Sequence, residues 1–518
     1  MTDQRGPFEP SPLIDIPATN PWDEHNQRWA DFVHPRDWKN PEPNGRYNLL
    51  VIGAGPAGLV TAIGAAGLGA KVALVEKHLM GGDCLNVGCV PSKALIASGK
   101  AAASVRNAHQ FGVRVPEGAS VDFPAVMERL RRVRADISHH DSAARFSDLG
   151  IDVFIGDGEF SGRTTFEIDG KTIRFTKACV ATGARAAAPP IEGLDSVPYL
   201  TNETIFSLTE LPRRIGFIGA GPIGCELSQA FRRFGSEVVL IESEHGILPR
   251  EDREAADIAL QSLLRDGVDL RCCARNLRLR QESDGIHLAA NSEHSDEHYD
   301  VAVDQLMVAV GRAPNVENLG LDAAGVDFHK KGITVNDRLE TTNPIIFAAG
   351  DVASKYQFTH SADFLARIVI GNALFFGRGR ASALTIPWCT YTEPELAHVG
   401  QTTGELEANG KEFQSFTVAM KEIDRAILDG EDEGFVRVHA DRKGRILGAT
   451  VVAAHAGDMI GELSLAMTHG IRLGQVASAI HPYPTQAEAI RKVGDAFNRT
   501  RLTPTVKSLM KTVLKWRR

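Results

Sequence analysis

An α/β fold that uses one strand–turn–helix–strand unit twice, followed by a C-terminal α+β region, is what the 518-residue sequence predicts. Three observations carry the prediction. Short apolar runs alternate with helical segments from residue 47 to about 380. A six-residue glycine pattern of identical spacing stands at two places, each between an apolar run and a helical segment. Glycine is frequent, 49 of 518, and aromatics amount to 7%, a bias that fits tight turns and close backbone–ligand approaches better than a β-sandwich core.

Residues 1–46 read as an arm. They hold eight of the 25 prolines and three of the five tryptophans, Trp22, Trp29 and Trp38. Proline resists regular structure, yet three indoles are costly to leave in water. The arm is therefore expected to lack sheet and to dock on the folded body or on a partner subunit. Next, Asn48–Ile52 reads as a buried strand, Gly53–Gly58 as a turn, Leu59–Gly69 as a helix, and Lys71–Val75 as a second strand ending at Glu76. The uncharged run Asn48–Ala70 is long enough for a membrane span, but its six glycines fit strand–turn–helix instead. The unit recurs as strand Ile215–Ile218, turn Gly219–Gly224, helix Glu226–Phe234 and strand Glu237–Ile241, ending at Glu242. Gly53 to Glu76 and Gly219 to Glu242 both span 23 residues. The expected division is 1–46 arm, 47–200 first unit, 201–312 second unit, 313–380 a return to the first, and 381–518 an interface region.

The glycines have a chemical reading. Gly53, Gly55 and Gly58 in Gly53-Ala54-Gly55-Pro56-Ala57-Gly58 serve a tight turn, a close approach to a pyrophosphate and close helix–strand packing. The pyrophosphate meets unpaired amides at the helix N-terminus, and Glu76 is placed to accept from a ribose hydroxyl. Gly219, Gly221, Gly224 and Glu242 repeat the set, so two Rossmann-like dinucleotide sites are predicted. At the second, a 2′-phosphate would be repelled by Glu242, although Arg232, Arg233 and Arg250 stand near in sequence.

Lys+Arg 57 against Asp+Glu 65 gives a net charge of −8, which excludes a protein that coats nucleic acid or anionic lipid. Seven cysteines form no disulfide scaffold. With no basic and apolar segment opening the chain, the reading is a reducing, cytoplasmic compartment with one close pair, Cys84 and Cys89, kept for chemistry. Residues five apart in a helix are separated by about 7.5 Å along its axis, too far for a disulfide. Cys84 is thus expected in a loop or distorted first turn, with Gly88 and Pro91 releasing the backbone. Cys89 then lies near a helix N-terminus, where the dipole favours a thiolate, and Lys93 follows one turn later on the same face. The alternatives are a zinc half-site or two buried cysteines. Zinc needs about four ligands and no second pair stands at suitable spacing, so no metal site is expected. The neighbours Cys272 and Cys273 are read as facing the two sides of a strand, and Cys389 as core packing with a third redox thiol as the alternative.

The stretch Gly81-Gly82-Asp83-Cys84-Leu85-Asn86-Val87-Gly88-Cys89-Val90-Pro91-Ser92-Lys93 resembles the GGxCxNxGCxPSK signature of the flavin-dependent pyridine nucleotide–disulfide oxidoreductases. These include dihydrolipoamide dehydrogenase, glutathione reductase and mercuric reductase. The resemblance covers about residues 47–500. It continues through Ala181-Thr182-Gly183, Gly311-Arg312-Ala313-Pro314-Asn315, Ala348-Ala349-Gly350-Asp351, Thr392–Ala397 and His481-Pro482-Tyr483-Pro484-Thr485. It implies FAD in the first cleft and nicotinamide in the second, with Thr182, Gly183, Gly350, Asp351, Gly311 and Arg312 among the cofactor-binding residues. Asp351 would meet the ribityl chain, and Lys93, paired with Glu226, would lie near flavin N5. Electrons would pass from NADH, favoured over NADPH by Glu242, to flavin and then to the Cys84–Cys89 disulfide. Cys89 would face the flavin and Cys84 would be the exposed thiol that attacks the acceptor. The C-terminal region would make a homodimer in which residues near 483 complete the partner's site.

The sequence also departs from this pattern. Reductases of thiol disulfides use a His five residues before a Glu as acid–base; here Glu488 is preceded at that distance by Tyr483. A phenol with a pKa of about 10 is a poor proton shuttle at neutral pH, and a tyrosine at this place is similar to mercuric reductase. His481 is the substitute base to consider. The C-terminal cysteine pair usual in mercuric reductase is not found in Leu514-Lys515-Trp516-Arg517-Arg518. The expected function is therefore FAD-dependent NADH oxidation with a small-molecule acceptor that is a thiophilic metal ion or an unusual disulfide. The alternatives are a diaphorase or transhydrogenase that bypasses the cysteines, and a dihydrolipoamide dehydrogenase-like reductase. The basic, amphipathic segment from Val506 is suited to a membrane or partner, but is not assigned that role.

Overall fold

The computed structural model describes residues 16–293 and 298–518; residues 1–15 of the arm lie outside the described residues. The apolar run at 47–52 becomes the strand Arg46–Ile52, paired in parallel with Val72–Glu76 on one side and Lys171–Val180 on the other. A strand apolar on both faces belongs at the centre of a parallel sheet, and Leu49, Leu50 and Val51 are fully buried there. Asp152–Ile155 forms one edge, and the antiparallel strands Thr165–Ile168 and Gly158–Gly162 extend the other. The seventh strand, Ile346–Ala348, arrives after the second unit and pairs in parallel with Ala178–Val180. The second unit makes a four-stranded parallel sheet in the order Asp269–Arg271, Glu237–Ile241, Arg214–Ile218, Gln305–Val308. An antiparallel sheet of Ala274–Glu282, Gly285–Ser292 and His298–Val303 shares its core through Leu288 and Val303. The C-terminal region is a five-stranded antiparallel sheet backed by the helices Ala456–Thr468 and Glu488–Thr500. Two nucleotide-type α/β units plus an α+β region is the predicted class.

Both fingerprint helices begin earlier than the sequence suggested. They run Pro56–Gly67 and Pro222–Phe234, instead of starting at Leu59 and Glu226. Proline at the first helical position loses no bond and already has the helical φ, so each helix starts there. Gly58 and Gly224 consequently lie inside the first turn. The helix Cys89–Asn107 crosses the helix Pro222–Phe234 at a point where a Cβ on Gly99 would sit 3.3 Å from Ala230 Cα. That close crossing ties the two units together.

The arm docks through a helix, Glu24–Val33, in the only long proline-free stretch of the segment. Asp23 caps it by accepting from Asn26 N and pairs with the buried Arg131. Trp29 is wholly buried and donates from Nε1 to Asn86 Oδ1 at 2.9 Å. Arg134, itself buried, stacks 3.7 Å from the Trp29 ring and donates to Asn86 O (2.8 Å), Asn26 Oδ1 (2.7 Å) and Ala18 O (3.1 Å). Trp38 donates to Val153 O at the sheet edge. At the other end, the helix Pro504–Trp516 leaves Leu509, Met510, Val513 and Leu514 exposed. Among the described residues no helix is long and apolar enough to cross a membrane.

Trp29→Ala is expected to lower unfolding stability by about 3–5 kcal/mol, the cost of emptying a buried indole site. Trp29→Phe is expected to lose about 1–3 kcal/mol, because Asn86 Oδ1 loses its donor. Urea denaturation of the flavin-loaded protein checks both, and an unchanged midpoint in Trp29→Ala would show that the arm adds nothing to the fold.

Candidate active site

The two glycine patterns divide into positions the chain itself requires and positions it does not. A Cβ on Gly53 would lie 2.4 Å from Ala181 O, and one on Gly58 would lie 1.8 Å from Gly53 O. In the second unit the corresponding distances are 2.7 Å from Gly219 to Ala309 O and 1.9 Å from Gly224 to Gly219 O. The middle glycines are different. A Cβ on Gly55 meets nothing nearer than 3.7 Å, and on Gly221 nothing within 4 Å. Both stand as N-caps of their helices, so the bare backbone leaves room for a phosphate against free amides. Glu76 accepts from Ala54 N (2.7 Å) and His78 N (2.8 Å), and Glu242 accepts from Ala220 N and Ser243 N (both 2.7 Å). Glu242 Oε1 also accepts from Ser243 Oγ and Glu244 N (both 3.1 Å), while its Oε2 takes only the Ala220 amide, so that oxygen keeps a lone pair for a ribose hydroxyl.

A cleft of about 780 Å³ runs through the first unit and reaches from Glu76 past Gly55 to Cys84, Cys89 and Lys93. Thr182, Gly183, Gly350 and Asp351 also line it. Thr182 Oγ1 donates to Asn315 O at 2.7 Å, which fastens the 181–183 turn to the segment after Arg312. Arg312 pairs with Asp83 and donates to Ala184 O at 2.6 Å; its Nε lies 3.5 Å from Asp351 and has no hydrogen-bond partner. Burial pushes the Asp351 carboxyl up to about 6, against the pull of Arg312. A long cleft with a phosphate seat, a ribose acceptor and a buried carboxyl beside an orphaned guanidinium nitrogen fits FAD.

The redox pair differs from the expectation in its backbone. Cys84 sits in a one-turn helix of its own, Gly82–Asn86, where a loop or a distorted first turn was expected. The break falls at Val87 and Gly88, and the long helix then begins at Cys89 itself. Pro91 does not release the chain, because it lies in the first turn, where no intrahelical N–H bond is lost. Both cysteines line the cleft, with Cys89 exposed and Cys84 half-buried. The hydrogen bond from Cys84 pulls the Cys89 thiol down to about 6, with the Thr359 hydroxyl and the Lys93 charge adding to it against desolvation. The same bond, together with burial, holds the Cys84 thiol up. One thiolate and one thiol at neutral pH is the state a dithiol needs before it attacks an acceptor.

Lys93 Nζ lies 2.9 Å from Glu226 Oε2, and Tyr391 N donates to Glu226 Oε1 at 2.9 Å. The Lys93 ammonium also sits 4.5 Å from the centre of the Tyr391 ring. Cys389 is two residues before Tyr391, and burial with the nearby Glu395 and Glu226 pushes its thiol up, opposite to Cys89. Tyr483, His481 and Glu488 are not brought to this place within one chain. Tyr483 is 71% exposed and donates to Asp424 Oδ2 at 3.0 Å, His481 Nε2 lies 3.0 Å from Glu462, and Glu488 pairs with Arg491 at 2.7 Å. Cys272 and Cys273 do not face the two sides of a strand. Cys273 adopts a left-handed φ of +58° in a bend between two strands, and the two Sγ atoms lie 3.8 Å apart.

Residues 47–366 match the pyridine nucleotide-disulphide oxidoreductase family, and 386–493 match the dimerisation domain of the same family. The chain belongs to this family. It is therefore an FAD-dependent pyridine nucleotide–disulfide oxidoreductase. The chain is similar to a mercuric reductase of Bacillus cereus, 33% identical over 87% of this chain and 72% of that protein. It is equally similar to a dihydrolipoyl dehydrogenase of Chlamydia muridarum, 34% identical over 86% of this chain and 95% of the relative. Among solved structures it is similar to the Cu(II) complex of the HOCl-induced flavoprotein disulfide reductase RclA from Escherichia coli. That similarity has a TM-score of 0.76 and 29% identity, covering 86% of this chain and 98% of that one.

Several groups of this oxidoreductase were not legible in sequence. Thr359, whose Oγ1 lies 3.5 Å from Cys89 Sγ, is 270 positions away and carries no local pattern. Tyr391 is equally remote. Asp83 adjoins Cys84 in the motif, and its charge beside Arg312-Ala313-Pro314 was the one signal available. Iodoacetamide alkylation of the reduced protein is expected to speed up with a midpoint near pH 6, well below the thiol norm of about 8.5. Cys84→Ala removes the main hydrogen bond and is expected to move that midpoint up; no movement would show that Cys84 does not set it.

Proposed function

We propose that this oxidoreductase is a homodimeric, NADH-dependent enzyme of the cytoplasm that delivers electrons through Cys84 and Cys89 to a thiophilic metal ion or an unusual disulfide. The observation that carries the acceptor class is Tyr483 in the place of a histidine. Its hydrogen bond to Asp424 raises the phenol further above its ordinary value, so it is a weak proton shuttle at neutral pH. A thiophilic ion takes up electrons without taking up protons, so the one proton to be moved is that of Cys84, released as its sulfur binds. The likeness to mercuric reductases and to a reductase solved with Cu(II) supports the same class.

Bound FAD supplies the chemistry of taking a hydride from nicotinamide and passing an electron pair to sulfur. The chain's own groups then have these roles. Gly55 and the amides at the Pro56 helix start seat the pyrophosphate, Glu76 accepts from ribose, and Asp351 meets the ribityl hydroxyls. Cys89 presents the thiolate to the cleft, and Lys93 holds a positive charge there that Glu226 fixes in position. Cys84 holds its proton in the reduced enzyme and gives it up as its sulfur engages the acceptor, because the thiolate is the nucleophile and the metal ligand. For the second nucleotide, Glu242 disfavours a 2′-phosphate, and Arg232 and Arg233 are engaged elsewhere, with Gly267 O, Asp266 and Glu393. The exposed Tyr483, in the region that matches the dimerisation domain, supports a site completed by the partner.

The dihydrolipoyl dehydrogenase relatives favour a second reading, reduction of a lipoamide-type disulfide. NADH oxidation with thiol-complexed Hg(II), Cu(II), lipoamide and a quinone, by the enzyme and its Cys84→Ser variant, separates the readings. Metal-dependent turnover is expected to fall at least 100-fold in the variant, with lipoamide turnover minor in both. Equal quinone turnover in both proteins and none with metal would favour a diaphorase. The Michaelis constant for NADH is expected to be at least tenfold below that for NADPH; the reverse order would overturn the nucleotide assignment.

A further inference from the structure

A second group of soft ligands lies in the nicotinamide unit. His245, Cys272 and Cys273 bring one ring nitrogen and two sulfurs to within 4.8 Å of one another. None of the three lines the cleft that holds Cys84 and Cys89. We propose that His245, Cys272 and Cys273 form a binding site for one thiophilic metal ion of the Zn(II) class, separate from the redox pair. The proposal does not depend on the acceptor discussed above.

The spacing of the donors is the main argument. Cys273 Sγ lies 3.8 Å from Cys272 Sγ and 3.6 Å from His245 Nδ1. Zn–S bonds of about 2.3 Å and a Zn–N bond of about 2.0–2.1 Å at tetrahedral angles put two sulfurs about 3.8 Å apart and a sulfur and nitrogen about 3.6 Å apart. The observed separations therefore match two edges of a tetrahedron around one ion.

The backbone supplies an independent reason. Side chains of neighbouring residues in a strand point to opposite faces, which would separate the two thiols. Here Cys273 departs from the strand with φ +58°, a left-handed conformation that a non-glycine residue rarely adopts. The result is two sulfurs on one side, beside the histidine. Cys273 N donates to Glu244 O at 3.1 Å and Ala274 N donates to Glu242 O at 2.9 Å, so the dithiol bend and the histidine loop are held together by main-chain bonds. Burial grades from Cys273, buried, through Cys272 to His245, exposed. An ion entering from the His245 side would find both sulfurs and keep a fourth position for water. Both thiols bind as thiolates, so binding releases about two protons and weakens as pH falls.

The test uses flavin-loaded protein carrying Cys84→Ser and Cys89→Ser, so that no ion can sit on the redox pair. Equilibrium dialysis against chelator-buffered Zn(II) is expected to give one bound ion per chain. Adding Cys272→Ser or His245→Gln is expected to weaken binding at least tenfold, with flavin content unchanged as the check on folding. The 113Cd resonance of the Cd(II)-loaded protein is expected at a shift typical of mixed sulfur and nitrogen ligation, and to move in each variant. Absence of stoichiometric Zn(II), or binding that neither variant weakens, would overturn the proposal.

Discussion

A single buried carboxylate holds the working parts together. Glu226 is 5% exposed, and an ionised carboxylate taken out of water costs several kcal/mol unless it is paired and hydrogen-bonded. Its two oxygens satisfy that demand with groups from two other regions, Lys93 on the redox helix and the Tyr391 amide on the strand-to-turn segment of the interface sheet. The second nucleotide helix, the redox helix and the C-terminal region therefore cannot move apart without stranding a charge. The glycine crossing at Gly99 and Ala230 brings the two helices close enough for that pair to form. Cys89 lies one turn from Lys93, whose charge adds to the hydrogen bonds of Cys84 and Thr359 in favouring the thiolate, while Glu226 opposes it.

The redox turn is buttressed from the opposite side by the arm. Asn86, two residues after Cys84, accepts from Trp29, is held by Arg134 through its main-chain oxygen, and donates to Met80 O and Gly82 O. All of these residues but the half-buried Gly82 are buried, so a loose fit would leave polar atoms without partners. Ile16 and Ala18 of the arm also border the FAD cleft near Glu76 and Leu79. An N-terminal segment with an unusual composition is thus built into the site's surroundings, which accounts for the burial of Trp22 and Trp29.

Electrostatic asymmetry between the two sulfurs follows from this placement. Cys89 begins a helix, faces Lys93 and Thr359, and receives a hydrogen bond; Cys84 is half-buried and gives one. Two identical side chains five residues apart acquire opposite protonation preferences because their surroundings differ. Cys389, near the same lysine, acquires none of this because carboxylates and burial outweigh the lysine.

How much of this was legible in the sequence depends on the distance over which each feature is encoded. The two glycine patterns, the acidic residues 23 positions on and the Cys84–Cys89 spacing are local, and backbone sterics alone make them readable: only glycine survives where a Cβ would meet a carbonyl oxygen at about 2 Å. Even there, the helix starts moved to Pro56 and Pro222, because a proline's fixed φ begins a helix before the apolar periodicity does. The pairing of Lys93 with Glu226 was named through family resemblance, and no pattern near either residue encodes it. Thr359 beside Cys89, Tyr391 beside Lys93 and His245 beside Cys272 and Cys273 had no local signal, and Asp83 beside Arg312 had only its place in the motif. Each joins segments whose approach is set by how sheets and helices pack, so the amino-acid sequence by itself determined the nucleotide clefts and the identity of the redox pair. Tertiary structure alone decided which distant charges and hydroxyls surround those sulfurs, because burial and proximity are properties of the packed chain.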